Sequence, residues 1–531
     1  MTKAQKPGGD RLNIVIFAIA AVVAAPILAI AWSAVSMEGA GPALFGAARP
    51  NYISETVLLC LGVGFFASII GAVSAIIVAT TEFPGRGFFK VALFLPFAIP
   101  AYIMAYSYAD FFSPFGPFAN LFGVGALPPI RSLSGAILVL TLATYPYVYI
   151  TVYASLAARS GAYLEAGATL GASPFASARK LLLALSRPAI AGGLALVLME
   201  TIADFGVSEF FGVQTLSVGI FRRWHGLGDL GGATRLAIIL FTFAIALMLT
   251  EDSLRRGAFS ESARAHRRNN RLRLSAPAAS GAVLFLVLPI IFGFSIPTMI
   301  LISKLEASQT ASALRGLSAS FTNTAFIAIA GALLAALAAA PLAYGARNSN
   351  SAIVRVLLRI STMGYAIPGA VIAIGVLALT AGLSGAARIG GVAVLLYAYF
   401  ARFLTASYNA TSGGMAQIHT RIDEAAMTLG ADRRQILFWL HWPMTRPSII
   451  AGIAIVAMDI AKELPATLIL RPFNFETLAT RVYRLASDER LADAAPAALL
   501  LIAFGLIPAL LLSAASADEK RRDKNAATFN S

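Results

Sequence analysis

Residues 165–190 read EAGATLGASPFASARKLLLALSRPAI, and residues 424–449 read EAAMTLGADRRQILFWLHWPMTRPSI. The two stretches align without a gap, so that Glu165 matches Glu424 and Gly171 matches Gly430. Both lie between long apolar segments. A polar loop that occurs twice in register predicts an internally duplicated chain.

The composition predicts an all-α polytopic membrane protein. Of 531 residues, 58% are hydrophobic and 13% are charged, whereas soluble domains have roughly 25% charged residues. The apolar blocks reach about 20 residues, which is the length that crosses a bilayer as a helix. The net charge of +15 is typical of cytoplasmic loops rich in Lys and Arg and does not require a nucleic-acid partner.

About 12 spans are predicted, near residues 12–35, 55–80, 88–110, 134–157, 189–212, 233–251, 276–302, 319–345, 353–380, 386–408, 448–470 and 494–515. Most Lys and Arg residues outside the spans fall on the side that carries the N-terminus. The positive-inside rule therefore predicts a multi-pass membrane protein with both termini in the cytoplasm.

The duplication extends beyond the polar loop. Three further blocks match in the same order: Thr56 with Thr324, Ala98-Ile99-Pro100 with Ala366-Ile367-Pro368, and Thr215-Leu216 with Thr477-Leu478. Each half holds about six spans, so both copies face the same way and both polar loops are expected in the cytoplasm.

The predicted domains follow from this duplication: a first repeat over 1–252, a basic linker over 253–275, a second repeat over 276–515 and a charged tail over 516–531. The linker is interpreted as a solvated cytoplasmic segment, with a lipid-headgroup or partner patch as the alternative. The polar loops are placed at about 158–188 and 409–447.

Each polar loop is predicted to form two short helices at an angle. Good helix formers begin at Glu165 and Glu424, and a left-handed turn at Gly171 or Gly430 is expected to end that helix. A second helix then precedes the next span. The prolines expected to open those spans are Pro188 and Pro447.

These residues resemble the cytoplasmic EAA loop of ABC importer permeases, which reads Glu-Ala-Ala, three residues and Gly. The resemblance implies two tandem six-helix repeats of the type I importer permease fold, and a loop that docks into a separate ATPase. The coupling residues it implies are Glu165, Ala166, Gly171, Glu424, Ala425 and Gly430. The first copy departs from the pattern, because Gly167 replaces the second alanine and Ala184 stands where the second copy has Pro443.

The chain is not expected to hydrolyse ATP itself. A P-loop needs Gly-Lys before Ser or Thr, and no lysine in this sequence follows a glycine. We therefore expect a transport subunit with no bound cofactor, driven by ATP-Mg on its partner.

Two pairs of carboxylates are predicted to lie inside spans, namely Glu200 with Asp204 and Asp459 with Glu463. The members of each pair are four residues apart and share a helix face. Carboxylates in this position are costly and are usually functional, and an oxygen-rich site suits a hard cation. The alternatives are pairing with Lys462 or capping of broken helices.

The segments around these carboxylates, residues 200–206, 211–216 and 462–468, look like those of the fused ferric-iron permeases of bacteria. The resemblance implies ferric-iron import, with transient metal binding at Asp204 and Glu463, a homodimeric ABC ATPase and a periplasmic ferric-iron-binding protein. Thiamine or another small cation is the alternative cargo. An ion-gradient-driven secondary transporter, with the carboxylates as proton carriers, is the alternative class.

Overall fold

A computed structural model describes residues 8–36, 50–126, 128–157, 183–256, 271–305, 314, 316–349, 351–381 and 391–506. Almost all of these residues are helical, as the composition predicts. The predicted first polar loop at about 158–188 lies largely outside the described residues.

The helices of the first half are α1 (Gly8–Ser36), α2 (Pro50–Thr80), α3 (Arg86–Ala92), α4 (Ala101–Phe111), α5 (Pro117–Phe122), α6 (Leu133–Ala157), α7 (Leu183–Ala203), α8 (Gly206–Phe210), α9 (Leu216–Phe221) and α10 (Leu230–Arg256). Those of the second half are α11 (Ala276–Ile290), α12 (Ile296–Ser303), α13 (Leu317–Asn348), α14 (Ala352–Ser361), α15 (Gly369–Ala381), α16 (Gly391–Ala416), α17 (Thr420–Thr428), α18 (Arg433–Gln435), α19 (Trp442–Lys462), α20 (Pro465–Leu470), α21 (Leu478–Ser487) and α22 (Leu491–Leu506). Short 3-10 segments lie at Leu95–Ala98, Val124–Ala126 and Gly364–Ala366, and π-helical segments at Arg222–Gly226, Ile291–Ser295 and Ile436–His441. Two strands, β1 (Thr81–Glu82) and β2 (Leu272–Arg273), pair in parallel.

Most predicted spans coincide with helices, but those predicted over 189–212 and 448–470 are wrong at their C-terminal ends, because the helices end at Ala203 and Lys462. Within the described residues, nine helices are long and apolar enough to cross a membrane, and the bent pairs described next bring the count to as many as 11. The twelfth predicted span coincides with α22, an apolar helix that reaches the edge of the described residues. The fold is therefore that of an all-α polytopic membrane protein.

The repeated Ala-Ile-Pro motif marks a bend in each half. The helical segments on either side of Ile99-Pro100 meet at 87°, and those on either side of Ile367-Pro368 meet at 115°. Both isoleucines have left the helical conformation, with φ/ψ of −92°/118° and −87°/99°. The cause is steric, because the proline ring disfavours the helical conformation of the preceding residue.

The chain forms two compact units, and each is built from segments of both sequence halves. One unit comprises Met1–Ala47, Ile220–Phe241 and Gly316–Thr480, and is called unit 1 here. The other comprises Ala48–Gly219, Thr242–Arg315 and Arg481–Ser531, and is called unit 2. The units are defined by which segments pack together and not by the sequence repeat. They therefore do not test the predicted repeat boundaries, which stay a prediction from the sequence.

Unit 1 is centred on α13, α16 and α19, which pack against one another. The first helix of the chain, α1, packs on this group through a core in which Ile16, Leu342 and Leu404 are fully buried. Tyr397 adds a hydrogen bond from its hydroxyl to the Val22 carbonyl at 2.7 Å. An N-terminal helix is thus part of a bundle built from the second half.

Unit 2 is centred in the same way on α2, α6 and α7. Gly71 allows α2 to approach α6 closely, since a Cβ there would lie 2.7 Å from the Tyr145 carbonyl oxygen. Such small residues are typical of helix contacts in membranes. From the second half, α11 packs on α2 and α12 packs on α4, and the Tyr108 hydroxyl of α4 donates to the Phe292 carbonyl at 2.5 Å.

A matched pair of hydrogen bonds shows the same local geometry at one position of each half. In unit 2 the Thr56 hydroxyl accepts from the Leu216 N–H at 3.0 Å. In unit 1 the Thr324 hydroxyl accepts from the Leu478 N–H at 2.8 Å. These are the same threonine and leucine positions that matched in the sequence, and all four residues are buried.

The prediction that Pro188 and Pro447 open their spans is wrong. Pro188 lies inside α7 and Pro447 inside α19. In the second half the helix is continuous from Arg433 through the π-helical segment to Lys462. Because the chain is already helical N-terminal to both prolines, neither proline marks the start of its helix.

We expect Thr324→Val to lower the free energy of unfolding by about 1–3 kcal/mol, because it leaves the buried Leu478 N–H without its acceptor. Thr56→Val should have a similar effect. Thr322→Val is the control, since that exposed hydroxyl bonds only within its own helix. Unfolding in detergent measures all three, and equal stability of the Thr324 and Thr322 variants would contradict the assigned role.

Candidate functional site: the second polar loop and two helix-capping carboxylates

The first helix of the second polar loop ends as predicted, whereas the predicted second short helix is the start of the continuous helix from Arg433 to Lys462. Helix α17 ends in a Schellman motif, in which the Ala431 N–H bonds to the Ala426 carbonyl and the Gly430 N–H to the Met427 carbonyl, both at 3.0 Å. Gly430 has a φ of +86°, the left-handed conformation that glycine adopts most readily. The prediction of a helix ended by Gly430 is confirmed.

This loop presents an acidic and apolar surface. Glu424 and Ala425 are exposed. Near them along the chain, Leu429 is 88% and Trp439 is 84% exposed. Large apolar side chains with this exposure are typical of a surface that a partner or a membrane covers. The corresponding residues Glu165, Ala166 and Gly171 lie outside the described residues.

A polar cluster joins the second loop to two long helices. The Asp423 carboxylate lies 2.8 Å from Arg347 Nη2 and 2.9 Å from His441 Nε2. Burial raises the pKa of Asp423, but hydrogen bonds from His441 and Arg347 outweigh it and hold that pKa below its ordinary value. Arg347 also donates to the carbonyls of Met415 and Ile418, each at 2.9 Å. We call Arg347, Asp423 and His441 the bracket.

In unit 2 the carboxylate of Asp204 caps a broken helix. Helix α7 ends at Ala203 and the short α8 follows. Asp204 accepts hydrogen bonds from the Ser208 N–H at 3.0 Å, the Ser208 hydroxyl at 2.9 Å and the Val207 N–H at 3.4 Å. One turn earlier, Glu200 accepts from the Tyr147 hydroxyl at 3.2 Å. The contacts of Asp204 are therefore with neutral donors.

In unit 1 the matching carboxylate, Glu463, also caps a broken helix, but it has a charged partner. It follows the end of α19 and accepts from the Ala466 N–H at 3.1 Å. Its other oxygen lies 2.7 Å from Arg402 Nη1, and the two side chains are only 6% and 10% exposed. Asp459, one turn earlier, is half-buried.

The sequence left two alternatives to cation binding, namely capping of a broken helix and pairing with Lys462. Capping of a broken helix, which was one alternative, occurs at both Asp204 and Glu463. Lys462 was the suggested cation for the second pair, whereas Glu463 is paired with Arg402. Among the described residues, no three His, Cys, Asp or Glu side chains group closely enough to hold a metal ion. Transient ferric-iron binding at Asp204 and Glu463 remains a prediction.

The sequence analysis missed the role of Arg402 and of the bracket. A signal for Arg402 existed, since a charged residue within an apolar span normally pairs with another charge. For the bracket, Arg347 lies 76 residues from Asp423, and no local pattern connects residues that far apart.

We expect Arg402→Met alone to destabilise the protein by about 3–5 kcal/mol, because it leaves a buried carboxylate without its counter-charge. Adding Glu463→Gln should recover most of that loss, since glutamine keeps an oxygen for the Ala466 N–H. A double-mutant cycle on unfolding measures the coupling. Arg355→Met, on an exposed arginine, is the control, and simple additivity of the Arg402 and Glu463 changes would contradict the pairing.

Comparison with known proteins identifies the family to which this chain is similar. Residues 331–518 match the family model described as "Binding-protein-dependent transport system inner membrane component". The Fe(3+)-transport system permease protein FbpB 2 of Haemophilus influenzae is 25% identical over 88% of this chain and 90% of its own length.

Two further relatives match only part of the chain. The sulfate transport system permease protein CysT of Salmonella typhimurium is 26% identical over 38% of this chain and 74% of its own length. The spermidine/putrescine transport system permease protein PotC of Escherichia coli is 32% identical over 36% of this chain and 69% of its own length. With its multiple apolar spans, the chain belongs to the family of binding-protein-dependent transport system inner membrane components, as a multi-pass permease subunit of an ABC importer.

Proposed function

We propose that this permease moves ferric iron across the bacterial inner membrane. The observation that supports the proposal is the share of this chain that each relative matches. The ferric-iron permease matches 88% of this chain, and therefore both halves, whereas the sulfate and polyamine permeases match 38% and 36%. A relative with the same fused arrangement is the better guide to cargo.

The energy comes from a partner. The family implies a separate ATPase and a substrate-binding protein, and we propose an ATPase homodimer with ATP-Mg and a periplasmic ferric-iron-binding protein. With both termini in the cytoplasm, both coupling loops face the ATPase. The exposed Glu424 and Ala425 on the helix ended by Gly430 support this role for the second loop, and sequence identity assigns Glu165, Ala166 and Gly171 the same role in the first.

The transport cycle follows from that arrangement. Closure of the ATPase dimer on ATP moves the coupling loops, and the loops move the spans that continue from them. In the second half, the helix from Arg433 to Lys462 runs without a break, so motion at the loop reaches Glu463 along one rigid element. The pathway then opens outward and receives iron from the binding protein.

Within the pathway, we assign cation contact first to Asp204. A ferric ion needs oxygen ligands whose negative charge is not already neutralised. Asp204 is held by neutral donors, whereas the charge of Glu463 is matched by Arg402. Glu463 then serves mainly to hold the broken helix of its own unit.

The coupling role predicts that Glu424→Arg abolishes ATP-dependent iron uptake, because it reverses the charge offered to a basic cleft on the ATPase. Uptake of radioactive ferric iron is measured in proteoliposomes that hold the permease and its ATPase, with binding protein outside and ATP inside. Glu519→Arg makes the same charge change in the C-terminal tail and is the control.

The outcomes of that assay separate the alternatives. ATP turnover without iron uptake would remove ferric iron as the cargo and make thiamine, sulfate or a polyamine the next test. Uptake without the ATPase would favour a gradient-driven transporter. Full uptake by the Glu424→Arg protein would contradict the coupling role alone.

The pathway assignment predicts that Asp204→Asn lowers iron uptake about tenfold or more while ATPase assembly is retained, since a lost charged ligand typically costs over 1.4 kcal/mol. Asparagine keeps an oxygen for the Ser208 N–H, so the cap survives. Ser208→Ala is the matched control, because it weakens the cap and leaves the charge. A larger loss from Ser208→Ala than from Asp204→Asn would reduce Asp204 to a structural cap.

A further inference from the structure

We propose that the bracket of Arg347, Asp423 and His441 is the device that transmits ATPase motion from the second coupling loop into the bundle of unit 1, and that the apolar residues at the matching positions of the first half cannot form this bracket. The proposal rests on the coupling role given above. It assigns positioning residues that lie outside the Glu-Ala-Ala and glycine pattern.

The geometry shows what the bracket joins. Asp423 precedes Glu424 directly and belongs to the loop helix α17. Arg347 lies in the last turn of α13, and His441 lies where the second-loop helix passes into α19. One carboxylate thus ties the loop to both helices, with contacts of 2.8 Å and 2.9 Å.

Arg347 extends the connection to a third helix. Its Nη1 donates to the carbonyls of Met415, in the last turn of α16, and Ile418, just beyond that helix. Carbonyls at a helix end have no partner within the helix, and a cation there is favoured by the helix dipole as well. The three central helices of unit 1 therefore meet the coupling loop at one guanidinium and one carboxylate.

The bracket is well shielded from water. The side chains of Arg347, Asp423 and His441 are 11%, 18% and 2% exposed. Ion pairs at this depth are screened little by salt. Two guanidinium nitrogens, Nε at 3.2 Å and Nη2 at 2.8 Å, donate to the same oxygen of Asp423, and His441 contacts its other oxygen, so the carboxylate is held in direction as well as in distance. A displacement of α17 is consequently passed to the helices rather than absorbed by side-chain rotation.

The repeat provides a natural comparison. By the alignments used above, the first-half residues at the positions of Arg347, Asp423 and His441 are Ala79, Leu164 and Leu182. All three are apolar, so none can form the ion pair or the histidine contact. The three polar residues occur together in one half and are absent together from the other, as expected of residues that work as a unit.

The test uses this comparison. The triple variant Arg347→Ala, Asp423→Leu, His441→Leu gives the second half the residues of the first and leaves no buried charge unpaired. Asp423→Leu alone breaks the bracket, and Asp423→Glu is the conservative variant that should restore it. The complex with ATPase is used throughout.

Loop motion is read directly with a nitroxide at Thr428→Cys, an exposed position on α17, in a Cys60→Ala background that removes the one native cysteine. Thr169→Cys is the aligned position in the first loop and is the control site. We expect Asp423→Leu and the triple variant to raise nitroxide mobility at 428 but not at 169, and Asp423→Glu to return it to the starting value.

The functional readout is the number of ATP molecules hydrolysed per substrate transported. We expect this ratio to rise about tenfold in the triple variant, within the range of site-to-site couplings, with ATPase binding unchanged. Unchanged mobility at residue 428 in a folded triple variant would overturn the proposal. Because mobility needs no substrate, that result is distinct from a failure of ferric iron as cargo, and loss of ATPase binding by Glu424→Arg tests the coupling role separately.

Discussion

A backbone that leaves the helical conformation inside a bilayer must find its hydrogen-bond partners within the protein, because lipid offers none. This constraint explains why carboxylates stand where α7 and α19 end. Asp204 and Glu463 each accept an N–H from the first turn of the short helix that follows. The break between the two helices is thereby capped, and the same residue places a negative charge at that break.

What surrounds each carboxylate then decides its chemistry. Charges buried in low dielectric interact strongly, and the cost of burying one is recovered only with a close partner. Glu463 has that partner in Arg402, which comes from another helix of the same unit. Asp204 is held by hydroxyl and amide groups of α8. Two positions that match in the sequence are thus equivalent as caps and different as electrostatic sites.

The sequence was sufficient for features that depend on local or periodic signals. Apolar length located the spans, Ile-Pro located the bends, and the Gly430 turn followed from the backbone freedom of glycine. It was insufficient where the cause is tertiary. Pro447 does not start its helix because the helix had already begun at Arg433, and the partner of Glu463 is 61 residues away on a different helix, where the adjacent Lys462 was the obvious local choice.

The aligned residues of the two halves show how the halves differ. Where the second half has Arg402, the aligned residue of the first is Ala143, and where it has the bracket the first half is apolar. The structural bonds shared by both halves, such as those of Thr56 and Thr324, are neutral and keep the backbone alike. The two differences named here, Arg402 and the bracket, are charged groups in the second half. Buried charges of this kind form strong contacts with specific partners. A duplicated bundle can therefore keep one fold while its halves divide the work, with fixed ion pairs in the second half and a carboxylate held by neutral donors in the first.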